Sequence, residues 1–268
     1  MATRTHLDVL TLLLHCKGPQ LFLGNMPVPG STDCRHDALP AGLATALSLV
    51  LNEHGRARLL LDNSLPSSWH RLPWERLPCN GCFLGERAQI IRNYRTAPLQ
   101  IREGRSLLLD RWPDKRFINS LQPDVEAGRV DVRRGESVDH WLLANPDLSD
   151  YRELIVIAHG SRDRHGLLTE SGQPWPLRLA PNLPQLIWIL SCEERDGAFD
   201  HLVNDAFING AECVLCPDGR LSAGRVALLL AEWIGTRNAQ SVADWVLDKQ
   251  WFDSTTGGSD ALLIHGAI

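Results

Sequence analysis

The chain has 268 residues, 44% apolar and 22% charged, with a formal net charge of −5. That is enough apolar chain for a sizeable core, and the basic residues gather into no run that would track nucleic-acid phosphates. No apolar stretch reaches the ~18 residues of a membrane span, and Met1 to Leu14 lacks the pattern of a secretion signal, so a cytoplasmic protein with no membrane partner and reduced thiols is expected.

In chain order, residues 6–14 read as a strand and Gln20–Asn25 as another, with a turn at Cys16-Lys17-Gly18-Pro19. Met26–Pro40 reads as a loop. Leu43, Ala46, Leu47, Val50 and Leu51 recur at helical spacing, and Gly55 supplies the stop. Short apolar runs come next, at Arg58–Leu61, Arg87–Ile91, Ser106–Leu109, Val130–Val132, Leu154–Ala158, Leu186–Leu190, Cys213–Cys216 and Ala261–Ile264. The strongest are apolar throughout, as strands covered on both faces are. Helical patterns lie between several of them. They are Val138–Leu143 with Ser137 as cap, Phe199–Ile208 with Asp196 upstream, Ser222–Ile234 with Ser222 as N-cap, and Ser241–Trp251. Buried strands alternating with helices predict an α/β fold, a mostly parallel central sheet with helices on both faces.

Two of the strongest strands end in reactive residues. Leu154–Ala158 runs into His159-Gly160, and Leu186–Leu190 runs into Ser191-Cys192-Glu193. In a parallel sheet both carboxyl ends emerge at one edge, where open α/β sheets place their sites. If the two strands are neighbours, the His and the Cys meet there. An imidazole beside a thiol generates or stabilises the thiolate nucleophile and then protonates the leaving amine. Gly160 leaves room for a substrate carbonyl, and its N–H with that of Cys192 would make an oxyanion hole. Taken alone, each residue has a bland reading, as an inert buried thiol and a loop histidine. The pairing of both with the ends of two fully apolar strands argues against it.

The order of these motifs resembles the caspase, separase and gingipain group of cysteine peptidases, and among them the CHAT domain. Leu72-Pro73-Trp74-Glu75-Arg76-Leu77 resembles the family's LPWE signature. Phe83-Leu84-Gly85-Glu86, leading into Ile90-Ile91-Arg92, resembles the family's next block, and Asn209-Gly210-Ala211 and His265-Gly266 resemble later ones. The likeness runs from about residue 40 to 268. It departs at Ser191, where the family usually has Ala, and at Cys216-Pro217-Asp218-Gly219.

The resemblance implies a caspase-like three-layer sandwich, and residues 1–268 are expected to form one domain. In it residues 1–40 form a hairpin and loop extension, and 150–235 the catalytic half. It implies a cysteine endopeptidase with a His159/Cys192 dyad and no cofactor, acting on a protein substrate. It also implies an effector gated by a regulatory or activator protein, as in bacterial defence. The alternative is a catalytically inactive caspase-like scaffold that binds a partner. In the resembled families the strand after the nucleophile ends beside the groove for the residue before the cut. Here Asp218, with Glu193, would favour Arg or Lys at that position, although Pro-Asp-Gly is also an ordinary turn.

Other residues have competing readings. Cys79/Cys82 and Cys213/Cys216 are CxxC pairs, but Cys213 and Cys216 fall in a strand and face opposite sides, which argues against a four-cysteine zinc site. Glu75 reads as a functional acid or, the preferred reading, as a residue that ties its loop to backbone amides. Asp163 and His165 would orient His159 or simply lie in a solvated loop. Trp69, Trp74, Trp112 and Trp233 read as core or interface anchors.

Overall fold

The computed structural model describes residues 9–30, 38–95, 99, 101–112, 116–161, 166–169, 171–175, 181–191, 200–217, 222–236, 242, 245 and 262–267. The chain divides into two compact units, Met1–Tyr94 and Arg95–Ile268.

The first unit contains β1 (Leu10–Lys17), β2 (Gln20–Leu23), β3 (Met26–Pro27), α1 (Ala41–His54), β4 (Ala57–Asp62), α2 (Ser67–His70), β5 (Pro78–Cys79), β6 (Cys82–Phe83) and β7 (Ala88–Tyr94). Strands β1, β4 and β7 are parallel, and β2 and β3 extend the sheet antiparallel from β1. The stretch expected as loop from Met26 therefore begins as a strand. Leu43, Leu47 and Leu51 bury one side of α1 against Leu59, Leu61 and Ile90 of the sheet. Gly55 closes the helix at φ +76, a conformation glycine adopts without a Cβ clash.

The LPWE segment is a tight structural knot in this unit. Trp74 is fully buried, and its indole N–H donates to the Trp69 carbonyl at 2.7 Å. Glu75 meets the Arg92 guanidinium in two bonds of 2.6 Å each, and both residues are buried. The expected role of Glu75, bonding to backbone amides, is thus corrected. The strand running through Ile90 and Ile91 delivers a cation instead, and a buried carboxylate is held best by a bidentate guanidinium. Arg92 also donates to the carbonyls of His70 and Leu72, both at 3.1 Å. Cys79 and Cys82 face each other across the β5–β6 hairpin, whose turn residues Asn80 and Gly81 have φ of 54° and 79°.

The second unit contains β8 (Ser106–Asp110), α3 (Arg116–Glu126), β9 (Val130–Arg134), α4 (Ser137–Leu143), β10 (Glu153–Ser161), β11 (Gly166–Leu168), β12 (Pro174–Trp175), β13 (Leu186–Ser191), α5 (Asp200–Ile208), β14 (Cys213–Pro217), α6 (Ala223–Thr236) and β15 (Leu262–Gly266). Its strand order is β9-β8-β10-β13-β14-β15. The first five are parallel, and β15 returns antiparallel to β14. Alternating side chains place one helix layer on each face. Leu154, Val156, Ala158, Ile187, Ile189, Val214 and Cys216 share a core with Val138 and Leu142 of α4 and Leu202, Val203 and Ala206 of α5. On the other face Trp188 meets Trp233 of α6 at a tilt and Trp245 edge-on, and α6 packs on α3. This is the mostly parallel α/β sandwich expected from the sequence.

At the amino ends of these strands the buried Glu153 carboxylate accepts from Ser106 Oγ at 2.7 Å, Trp188 Nε1 at 2.9 Å and Trp233 Nε1 at 2.6 Å. Ser222 caps α6 as expected, accepting from the Arg225 N–H at 3.2 Å. Ser137 instead lies inside the first turn of α4 and donates its hydroxyl to the Arg134 carbonyl at 2.6 Å. Among the described residues no helix is long and apolar enough to cross a membrane.

Candidate active site

Strand β10 lies between β8 and β13, parallel to both. Its ladder with β13 runs from Glu153 opposite Leu186 to Ala158 opposite Ser191. His159 and Gly160 come next at the carboxyl end of β10, both half-buried. Ser191 ends β13, fully buried. Cys192 and Glu193, next in the chain, lie outside the described residues, as do Asp218, Asp163, His165 and Asp196. The described residues beyond His159 include two short strands. His159 pairs with Leu168 and Gly160 with Leu167 in an antiparallel hairpin, to which β12 adds Trp175 opposite Leu167.

The third contributor to this edge is β8, which sequence reasoning did not connect to the site. Its ladder with β10 reaches Asp110 opposite Ile157, and the Arg111 N–H donates to the Ile157 carbonyl at 2.8 Å. The buried Asp110 carboxylate accepts from the Trp112 N–H at 3.0 Å and from Arg134 Nε at 2.7 Å. Arg111 is also buried. Its guanidinium pairs with Asp139 of α4 at 3.2 Å and lies 5.7 Å over the Trp175 ring. Trp112, expected to be a core or interface anchor, is half-buried with its ring centroid 4.5 Å from that of His159. A signal for these residues does exist in the sequence: Ser106–Leu109 is another apolar strand, and it runs into Asp110-Arg111-Trp112.

The two cysteines of β14 behave as packing thiols. Cys213 and Cys216 are fully buried on opposite faces of β14, and burial pushes the Cys213 thiol up. Cys82, in the first unit, is raised by burial and then by Glu86. Among the described residues no group of three or more His, Cys, Asp or Glu side chains is placed to hold a metal ion.

No family model and no curated protein matches the sequence. Solved structures similar to the chain include two Saccharomyces cerevisiae separase–securin complexes. One is 15% identical with a TM-score of 0.42, over 79% of this chain and 15% of that one. The other is 14% identical with a TM-score of 0.45, over 85% of this chain and 17% of that one. The chain thus spans less than a fifth of the length of either.

Proposed function

We propose that the chain is a caspase-like cysteine endopeptidase of the CHAT type, with His159 and Cys192 as its dyad. The observation that carries this reading is the parallel pairing of β10 with β13. It sets Ala158 opposite Ser191, the residues immediately before the histidine and the cysteine. In this reading His159 takes the thiol proton, and the Cys192 thiolate adds to the substrate carbonyl carbon. The oxyanion is held by the N–H groups of Gly160 and Cys192. The C–N bond then breaks as the imidazolium returns its proton to the leaving amine, and water hydrolyses the thioester. Asp218 and Glu193 supply negative charge for Arg or Lys before the cut, and a protein activator gates the cleft. Residues 1–268 act as one such module, with 150–235 as its catalytic half.

The test is cleavage of candidate proteins and a peptide library, with and without a cognate partner. Cys192→Ala and His159→Ala each lower kcat/KM about a thousandfold or more with an unchanged circular dichroism spectrum. Asp218→Ala lowers it at least about tenfold for basic peptides only. Near wild-type turnover by either dyad variant overturns the assignment. Equal cleavage after Leu or Asp removes the basic pocket alone.

A further inference from the structure

The stack of Trp112 on His159 takes no part in the reaction steps proposed above. The ring centroids are 4.5 Å apart and the planes tilt by 31°. Its support is buried on the sheet edge: Asp110 holds the Trp112 N–H while Arg134 holds Asp110, and the Arg111 N–H fixes the intervening backbone to Ile157. Among the described residues the charged groups here include Asp110 at the end of β8, Arg111 after it, Arg134 on β9 and Asp139 on α4. They close on each other as two ion pairs, Asp110 with Arg134 and Arg111 with Asp139. Strands β11 and β13 bring only Leu167, Leu168 and Ser191 to this end. The Trp112 ring is the aromatic group that these elements set against His159.

We propose that Trp112 is a positioning residue for His159, holding the imidazole plane at the strand exit and favouring its protonated form. An indole face attracts a cation through its quadrupole, and a packed ring removes the broad rotation of an unrestrained imidazole. The inference rests on the dyad reading, in which His159 becomes an imidazolium when Cys192 gives up its proton. The stack thereby stabilises the thiolate–imidazolium pair.

The experiment is an NMR titration of histidine-labelled full chain, with the His159 signal identified by its loss in His159→Gln. In the wild type the His159 ring protons are displaced by the indole ring current. Trp112→Leu abolishes the displacement and lowers the His159 midpoint by about half a pH unit or more. It also slows iodoacetamide alkylation of Cys192 near pH 6.5 about threefold or more. Trp112→Phe keeps most of both effects. A wild-type signal without displacement overturns the proposal even if the leucine variant fails to fold. So does a midpoint shared by Trp112→Leu and wild type within about 0.2 unit. The titration needs no substrate, so the two readings fail separately. A Trp112-sensitive midpoint beside peptidase activity indifferent to Cys192→Ala keeps the stack and removes the dyad. An insensitive midpoint beside an inactive Cys192→Ala removes the stack and keeps the dyad.

Discussion

Glu75 and Arg92 show how a motif residue serves the fold. Each is an ion taken almost wholly out of water, and each is compensated by the other and by backbone carbonyls. Removing one partner strands the other charge, which costs about 3–5 kcal/mol. We expect Arg92→Met and Glu75→Gln each to lower unfolding stability in denaturant by about 3 kcal/mol. The double variant Glu75→Met/Arg92→Met should lose less than the two single losses added. Single losses under about 1 kcal/mol would show that the pair is not the tie it looks to be. The sequence exposed both residues but not their meeting, because a bidentate pair depends on a strand and a turn folding together. The same limit hid the approach of Asp110 and Trp112 to the end of β10, since nothing in a linear reading makes β8 a neighbour of β10. The place of His159 at the carboxyl end of a strand was legible because an apolar run ending in His-Gly is a local pattern.

At the scale of elements, the apolar runs were the reliable signal. Leu154–Ala158 and Leu186–Leu190 became β10 and β13, each one to three residues longer at an end, because ladder bonding extends past the apolar stretch. Helix α3 escaped notice, with Pro123 inside it and a mostly polar surface. Strands β11 and β12 are too short to show a period. The turn at Leu84–Glu86 illustrates a constraint that only packing reveals. Gly85 sits so close to the Trp74–Arg76 turn that a Cβ there would lie 2.8 Å from Glu75 Cβ and 3.0 Å from its Cα. At an ordinary backbone conformation, alanine in place of glycine normally stabilises by restricting the unfolded chain. Here the clash wins, and it falls on the residue that holds Arg92. Gly85→Ala should therefore cost about 1–3 kcal/mol. A neutral or stabilising result in thermal unfolding would mean that the two turns can slide apart freely.

For the whole molecule, the sandwich of the second unit was legible because its central strands carry unbroken apolar runs, whereas the acid response of the folded chain was not. His70 ends α2 beside Arg92, and its Nδ1 accepts the Asn93 N–H at 3.2 Å. That bond needs a lone pair, so it holds the neutral ring. Burial and then the Arg92 charge push the imidazole down to about 4, against a partial pull upward from Asp62. An exposed imidazole in the unfolded chain titrates near 6.5. Between those values the unfolded chain binds a proton that the folded chain refuses, so stability rises with pH across this window. It is fully present above about 6.5 and is lost as the pH falls toward 4. The full span is worth at most about 3 kcal/mol, and solvent screening of a half-buried ring reduces it. His70→Asn keeps an acceptor near Asn93 but does not titrate. Denaturant unfolding at pH 7.5 and pH 5 should show the wild type losing about 1–2 kcal/mol more than His70→Asn over that interval. The carboxylates are common to both chains and cancel in the comparison. Equal losses in the two proteins would mean that His70 is protonated in the folded state and that the Asn93 bond is made some other way.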